Sequence, residues 1–218
     1  MARKRTLAIG LTGGIGTGKS RVAELLQELG AAVECSDQIV REIQAPGGAA
    51  LAGIVATFGD EYLLPSGELD RARLGELVFR NPEAREKLGT LIHPLVYREL
   101  ANRLESHRRK GEPVVVLDIP LLLEGPKDWW RSGALLPLDL IVLVYADEET
   151  QVERIMTRDQ LSRGEALARI RAQLSIEEKR ALADVVIDNS GSWESTAERL
   201  REQYAEWISD DEPSARPR

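Results

Sequence analysis

Leu11-Thr12-Gly13-Gly14-Ile15-Gly16-Thr17-Gly18-Lys19-Ser20 decides how the rest of the 218-residue chain is read. Gly13 to Ser20 fits the pattern G-x-x-x-x-G-K-(S/T), a loop that joins a strand to a helix. The apolar run at 6–12 ahead of it predicts a buried strand. Behind it, 21–29 carries Val22, Leu25, Leu26 and Leu29 at helical spacing, with Gly30 as a stop. Such a loop wraps a phosphate chain with inward-pointing backbone N–H groups, and glycines permit the dihedrals and the close approach. The helix behind it adds free N–H groups and its positive dipole end. Lys19 would bridge the β- and γ-phosphates as a point charge, and the Ser20 hydroxyl would ligate Mg²⁺. The competing reading is a glycine-rich turn that binds nothing. At ordinary residue frequencies the pattern arises by chance in about one chain in a hundred of this length. The strand before it and the helix after it favour phosphate binding.

Working outward, short apolar strands alternate with helices. Strands are predicted at 6–12, 31–36, 112–119, 138–145 and 183–188, and helices at 21–29, 38–43, 51–58, 71–79, 82–109, 163–174, 176–182 and 192–207. Asp147 caps a further helix, with Glu148 and Glu149 in its first turn. This is an α/β chain with a five-stranded parallel sheet covered on both faces. With the phosphate loop it reads as a P-loop nucleoside triphosphate hydrolase-like three-layer fold. The expectation is one domain over 1–208. A helical insertion at about 47–110 packs beside the sheet, a helical lid occupies about 150–175, and the polar tail 209–218 is frayed.

Composition narrows the class. Lys plus Arg is 29 and Asp plus Glu 36, a net charge of −7. That speaks against bulk nucleic-acid binding, which needs a large basic surface. It does not exclude polyanionic small ligands, because residues 151–180 hold seven basic and five acidic groups, a local excess of +2. The single cysteine, Cys35, forbids an intramolecular disulfide and makes a reducing cytoplasm the expected setting. Arg3, Lys4 and Arg5 precede an apolar stretch, but Gly13 and Gly14 break it too early for a signal peptide. The longest uninterrupted apolar run, 140–146, falls far short of a membrane span. No Asn-Lys-x-Asp guanine-recognition motif is present, and the chain is short for a motor ATPase. A small-molecule kinase is the leading class.

Such an enzyme needs a carboxylate near its acceptor hydroxyl and another near its metal. Asp37 follows the second strand at the sheet edge that lines the crevice of parallel α/β folds. It also stands where a helix cap belongs, and position alone does not choose. Asp118 ends Val114-Val115-Val116-Leu117, a buried strand offering an aspartate to Mg²⁺. Gln151, Arg154 and Arg158 share one helix face, suited either to a transferring phosphoryl group or to plain solvent. Arg163 and Arg169 are weaker candidates of the same kind. Asn189, after the last strand, suits an adenine-contacting loop or an ordinary turn. With only His93, His107 and Cys35 available, no His/Cys zinc site can be built.

Taken together, these residues resemble the dephospho-CoA kinase family. The resemblance rests on Leu11 to Ser20, Phe58-Gly59, Gly67-Glu68-Leu69-Asp70-Arg71, Val78-Phe79, His93-Pro94-Leu95-Val96 and Pro120-Leu121-Leu122-Leu123-Glu124. It continues through Gln151-x-x-Arg154-x-x-x-Arg158, Arg169-x-x-x-Gln173, Lys179 and Ala183-Asp184-x-x-Ile187-x-Asn189. It spans about 6–205. The resemblance implies ATP-dependent phosphorylation of the ribose 3′-hydroxyl of dephospho-CoA, with Mg²⁺; composition and charge add the expectation of a cytoplasmic chain with neither nucleic acid nor membrane as partner. It implies Asp37 as general base, with Lys19, Arg154 and Arg158 acting on the transferring group. Gly13, Gly14, Ile15, Gly16, Thr17, Gly18, Lys19, Ser20, Arg21 and Asn189 would hold ATP. Asp37, His93, Leu122 and Glu124 would hold the acceptor, and Ser20 and Asp118 the metal. The family commonly reads Asp-x-Asp where this chain has Cys35-Ser36-Asp37, so the first carboxylate is lost and the second kept. The alternative is another P-loop small-molecule or nucleoside monophosphate kinase.

Overall fold

Residues 5–124 and 136–209 are described by a computed structural model. The strands are β1 (Leu7–Gly13), β2 (Ala32–Cys35), β3 (Val114–Asp118), β4 (Leu140–Tyr145) and β5 (Val185–Asp188). They form one five-stranded parallel sheet in the order β2-β3-β1-β4-β5. Nearly every residue of β1 and all of β3 is buried, as expected when helices cover both faces of a sheet. Leu11 pairs with Asp118 on one side of β1, and Gly13 with Val144 on the other. The phosphate loop therefore leaves the central strand at the carboxyl edge, where crevices form in such sheets.

Two compact units make up the chain: Met1–Glu34 with Leu104–Arg218, and Cys35–Arg103. In the first, α1 (Lys19–Glu28) and α9 (Trp193–Ile208) follow the loop and the last strand. Val22, Leu25 and Leu26 of α1 and Ala197, Leu200 and Tyr204 of α9 share a core with Ile9, Leu11, Val114, Val116, Val142 and Val144. Burying side chains of this size contributes about 1.5–3 kcal/mol each, which is what anchors the loop's helix. A second cluster, Val152, Ile155, Ala166 and Ile170, joins α6 (Glu148–Asp159) to α7 (Arg163–Arg171). The short α8 (Ile176–Leu182) follows.

The second unit holds α2 (Ser36–Ile43), α3 (Leu51–Phe58), α4 (Arg71–Arg80) and the first part of α5 (Pro82–Lys110). Leu63 bridges Leu69 across a turn that holds Pro65 and Gly67. Asp70 caps α4 by accepting from Arg73 N–H, and Asn81 accepts from Ala84 N–H ahead of Pro82. Two sequence expectations are corrected. Asp37 is not the cap of α2: Cys35 occupies that position, and Asp37 lies in the first turn. The helix expected at 163–174 ends at Arg171, because Ser175 starts α8 with a capping box to Glu178. The tail from 210 lies outside the described residues.

Candidate active site

The loop is built by its own backbone. Thr17 Oγ1 donates to the Gly14 carbonyl at 2.8 Å, and Thr17 N–H to the same oxygen at 3.2 Å. Gly16 and Gly18 sit at φ +81° and +85°, where L side chains are strained. At Gly16 a Cβ would lie 2.8 Å from the Gln151 carbonyl oxygen, so the loop packs directly on the backbone of α6. Gln151 is buried and its Nε2 donates to Ala146 O at 2.8 Å, closing that junction.

Arg154 reaches from α6 to the back of the loop. Its Nη2 donates to Asn189 O at 2.7 Å, and its Nη1 lies 3.4 Å from both Gly16 O and Thr17 O. Asn189, 5% exposed, donates Nδ2–H to Thr17 O at 2.7 Å. Gln173, beyond α7, accepts from Ile15 N–H at 3.0 Å. The sequence marks Gln151 and Gln173 as part of a pattern, but spacing gives no role. Their role lies in loop contacts that span more than a hundred residues of chain.

Lys19 Nζ forms an ion pair with Asp118 Oδ1 that is nearly buried on both sides. Strand register produces this pair, since Asp118 is level with Leu11, two residues before the loop begins. Ser20 follows Lys19 in the exposed first turn of α1. A hydroxyl and a carboxylate thus flank one lysine, the hard-oxygen set Mg²⁺ takes when water and phosphates fill most of its shell. No cluster of three or more His, Cys, Asp or Glu suited to a metal exists among the described residues. One hydroxyl and one carboxylate are the few protein donors Mg²⁺ takes when a nucleotide's phosphates supply others. Arg21 stacks on the Trp193 ring, 4.1 Å from its centroid.

The turn after β3 is tied to β1. Ile119 N–H donates to Leu11 O at 2.9 Å, and Thr12 Oγ1 to Pro120 O at 2.9 Å. In the single helical turn Leu122–Glu124, Leu122 is fully buried and fills the space left by the missing side chain of Gly10. Leu122 therefore seats the turn, and Glu124 is its partly open member. Glu124 Oε1 lies 2.7 Å from Lys179 Nζ.

On α6 and α7 the charges pair among themselves. Arg158 donates through Nε and Nη2 to Asp159 at 2.7 and 3.0 Å, and Arg169 donates to the same carboxylate at 2.6 Å. Arg163 is bidentate to Glu149, both contacts 2.6 Å. Asp147 caps α6, and the Thr150 N–H it accepts holds its carboxyl below the ordinary range. Arg154 and Arg158, expected together, thus part company: Arg154 is at the loop and Arg158 is 61% exposed beside Asp159.

In the second unit, Asp37 is exposed, in the first turn of α2, where the helix dipole favours its charge. His93 is exposed in the middle of α5, tilted against Tyr97 at 6.1 Å between centroids, next to Pro94.

A family model described as dephospho-CoA kinase matches residues 7–195. The chain is 47% identical over 199 residues to the dephospho-CoA kinase of Carboxydothermus hydrogenoformans, covering 91% of this chain and 93% of that one. It is 46% identical over 198 residues to that of Geobacter sulfurreducens, covering 90% and 96%. The solved dephospho-CoA kinase of Campylobacter jejuni superposes with a TM-score of 0.67 at 30% identity, covering 91% and 96%.

Proposed function

The chain belongs to the dephospho-CoA kinase family, and on that premise we propose how its residues divide the reaction. It is a kinase of coenzyme A synthesis: ATP phosphorylates dephospho-CoA at the ribose 3′-hydroxyl. A divalent metal accompanies ATP in this chemistry, and we take it to be Mg²⁺, held by Ser20 and Asp118. When bound, it neutralises phosphate charge and helps align the transfer.

The observation that carries the division of roles is the Lys19–Asp118 pair at the carboxyl ends of β1 and β3. Gly13 to Ser20 cradle the phosphates with backbone N–H groups, and Lys19 turns toward the β- and γ-phosphates. Asp37 takes the proton of the acceptor hydroxyl as it attacks, so the oxygen gains nucleophilicity without a free alkoxide. Arg154, whose guanidinium holds the Gly16, Thr17 and Asn189 carbonyls, lends the loop positive charge, and Arg158 reaches the transferring group when the lid at about 150–175 closes. Asn189 and Arg21 border the nucleotide. His93, Leu122 and Glu124 belong to the acceptor side, Leu122 by seating its turn. Residues 1–208 act as one kinase domain, with an acceptor-binding insertion at about 47–110.

Cytoplasmic ATP and dephospho-CoA are its small-molecule partners, with nucleic acid disfavoured by the net charge of −7. Among the described residues no helix is long and apolar enough to cross a membrane. The test is a coupled ATP assay across dephospho-CoA, AMP and shikimate. Turnover confined to dephospho-CoA is expected, and turnover with AMP or shikimate alone would overturn the reading.

A further inference from the structure

Lys179 is among the largest fully buried side chains of the described residues, with no exposed surface. It stands in the first turns of α8, whose start is fixed by the Ser175–Glu178 capping box and the buried Ile176. Its Nζ lies 2.7 Å from Glu124 Oε1, and both atoms are buried. The angles fall short of a directed hydrogen bond, so the pair is held by charge and packing. The Glu124 side chain nevertheless stays 19% exposed.

A buried ammonium is a poor device for stability. Its desolvation can exceed what the partner returns, and a well-packed apolar side chain often serves as well. Its placement suggests another use. Glu124 ends the turn that Leu122, Thr12 and Ile119 fasten to β1, the strand that becomes the phosphate loop. Six residues before Lys179, Gln173 accepts from Ile15 N–H of that loop. The stretch 173–179 therefore touches the loop at one end and Glu124 at the other.

We propose that Lys179 is a positioning residue for the acceptor: it fixes the Glu124 carboxylate in register with the phosphate loop, leaving the open part of that carboxylate to accept from a hydroxyl or amide N–H of dephospho-CoA. This rests on Glu124 belonging to the acceptor side. Losing a charge-assisted hydrogen bond lowers apparent affinity about 10- to 100-fold, which sets the size of the effect.

The test is steady-state kinetics of the full chain as Lys179→Met, Lys179→Arg, Glu124→Gln and the double variant Lys179→Met/Glu124→Gln. Lys179→Met should raise KM for dephospho-CoA about tenfold or more while leaving KM for ATP within about twofold, with partial rescue by Lys179→Arg. The double variant should match Glu124→Gln alone, since Lys179 acts only through that carboxylate. It buries neither charge, so it carries the test even where Lys179→Met folds poorly. Equal rises in both KM values, or a double variant worse than Glu124→Gln by the full Lys179→Met factor, would overturn the proposal. An unchanged KM for dephospho-CoA in Glu124→Gln would instead remove Glu124 from the acceptor side. A Glu124→Gln effect with none from Lys179→Met would sink the Lys179 proposal alone.

Discussion

Arg154 and Asn189 meet behind the phosphate loop, the guanidinium donating to the Asn189 carbonyl at 2.7 Å while the Asn189 amide donates to Thr17 O at 2.7 Å. The two side chains bind the Gly16 and Thr17 carbonyls, while Gln173 takes Ile15 N–H and Gly14 O takes Thr17 N–H, so the loop's shape is held from several sides. Asn189→Ala removes one buried hydrogen bond and leaves the Thr17 carbonyl to the longer Arg154 contact, at a cost of about 1–3 kcal/mol. The expected result is a rise of roughly tenfold in KM for ATP with KM for dephospho-CoA unchanged. Equal changes in both would argue that Asn189 supports the fold rather than the loop.

Gly16 falls on a variable position of the loop pattern, yet α6 leaves it no room. Its φ of +81° and the 2.8 Å gap between a would-be Cβ and Gln151 O set backbone against backbone, so neither side can yield cheaply. Gly16→Ala should lose about 1–3 kcal/mol of stability, from strain and overpacking. ATP should also raise the melting temperature less than it does in the parent. Thermal melting with and without ATP measures both.

The sheet and the loop were legible because they follow from local pattern: apolar runs of strand length, and glycines followed by Lys19 and Ser20. Asp118 was legible because it closes such a run. Asp37 was misplaced by one element boundary, since Ser36 enters the helix and hands the cap to Cys35. Asp, Ser and Cys in a row carry no local signal that fixes which residue turns first. Gln173 on Ile15 N–H and Lys179 on Glu124 are tertiary meetings across 158 and 55 residues of chain respectively, so no periodicity could announce their partners. The order of motifs marked these residues out, while geometry alone supplied what they touch.

Acid should loosen the α6–α7 hairpin. The hydrogen bonds from Arg158, with added charge from Arg158 and Arg169, hold the Asp159 carboxyl below its ordinary range, and Arg163 does the same for Glu149. A carboxyl lowered on folding stabilises fully above its unfolded value of about 4, and that contribution is lost as pH falls through the lowered value. The pairs are surface ones and weaken with salt. Hydrogen-exchange protection over 163–171, corrected for intrinsic rates, should fall below about pH 4. Asp159→Asn should have lost part of that protection already at neutral pH, and an acid response as large as the parent's would count against the carboxylate.

Asp118→Asn separates two uses of one carboxylate. If Asp118 only anchors Lys19, the variant changes KM for ATP and leaves the metal requirement alone. If it also serves the metal, the Mg²⁺ concentration for half-maximal rate should rise about 10- to 100-fold at saturating ATP, the size expected for a lost charged contact. Titrating Mg²⁺ at fixed ATP decides between them, and we expect the rise.

Asp37→Asn tests the base itself. Asparagine keeps the size of the side chain but accepts no proton at neutral pH. Asp37 is not a cap, so the substitution removes only a first-turn charge from α2, an effect of a few tenths of a kcal/mol to about 1 kcal/mol. Stability should therefore hold, and ATP binding should hold with it, since the loop and Lys19 are untouched. Turnover should fall by roughly 10²-fold or more, the range general-base catalysis supplies. Steady-state rates at saturating ATP and dephospho-CoA, set beside ATP-binding and melting measurements, read the loss of turnover against the retained binding and stability. An Asp37→Asn enzyme with parental turnover would return Asp37 to the role of a dipole-facing surface acid.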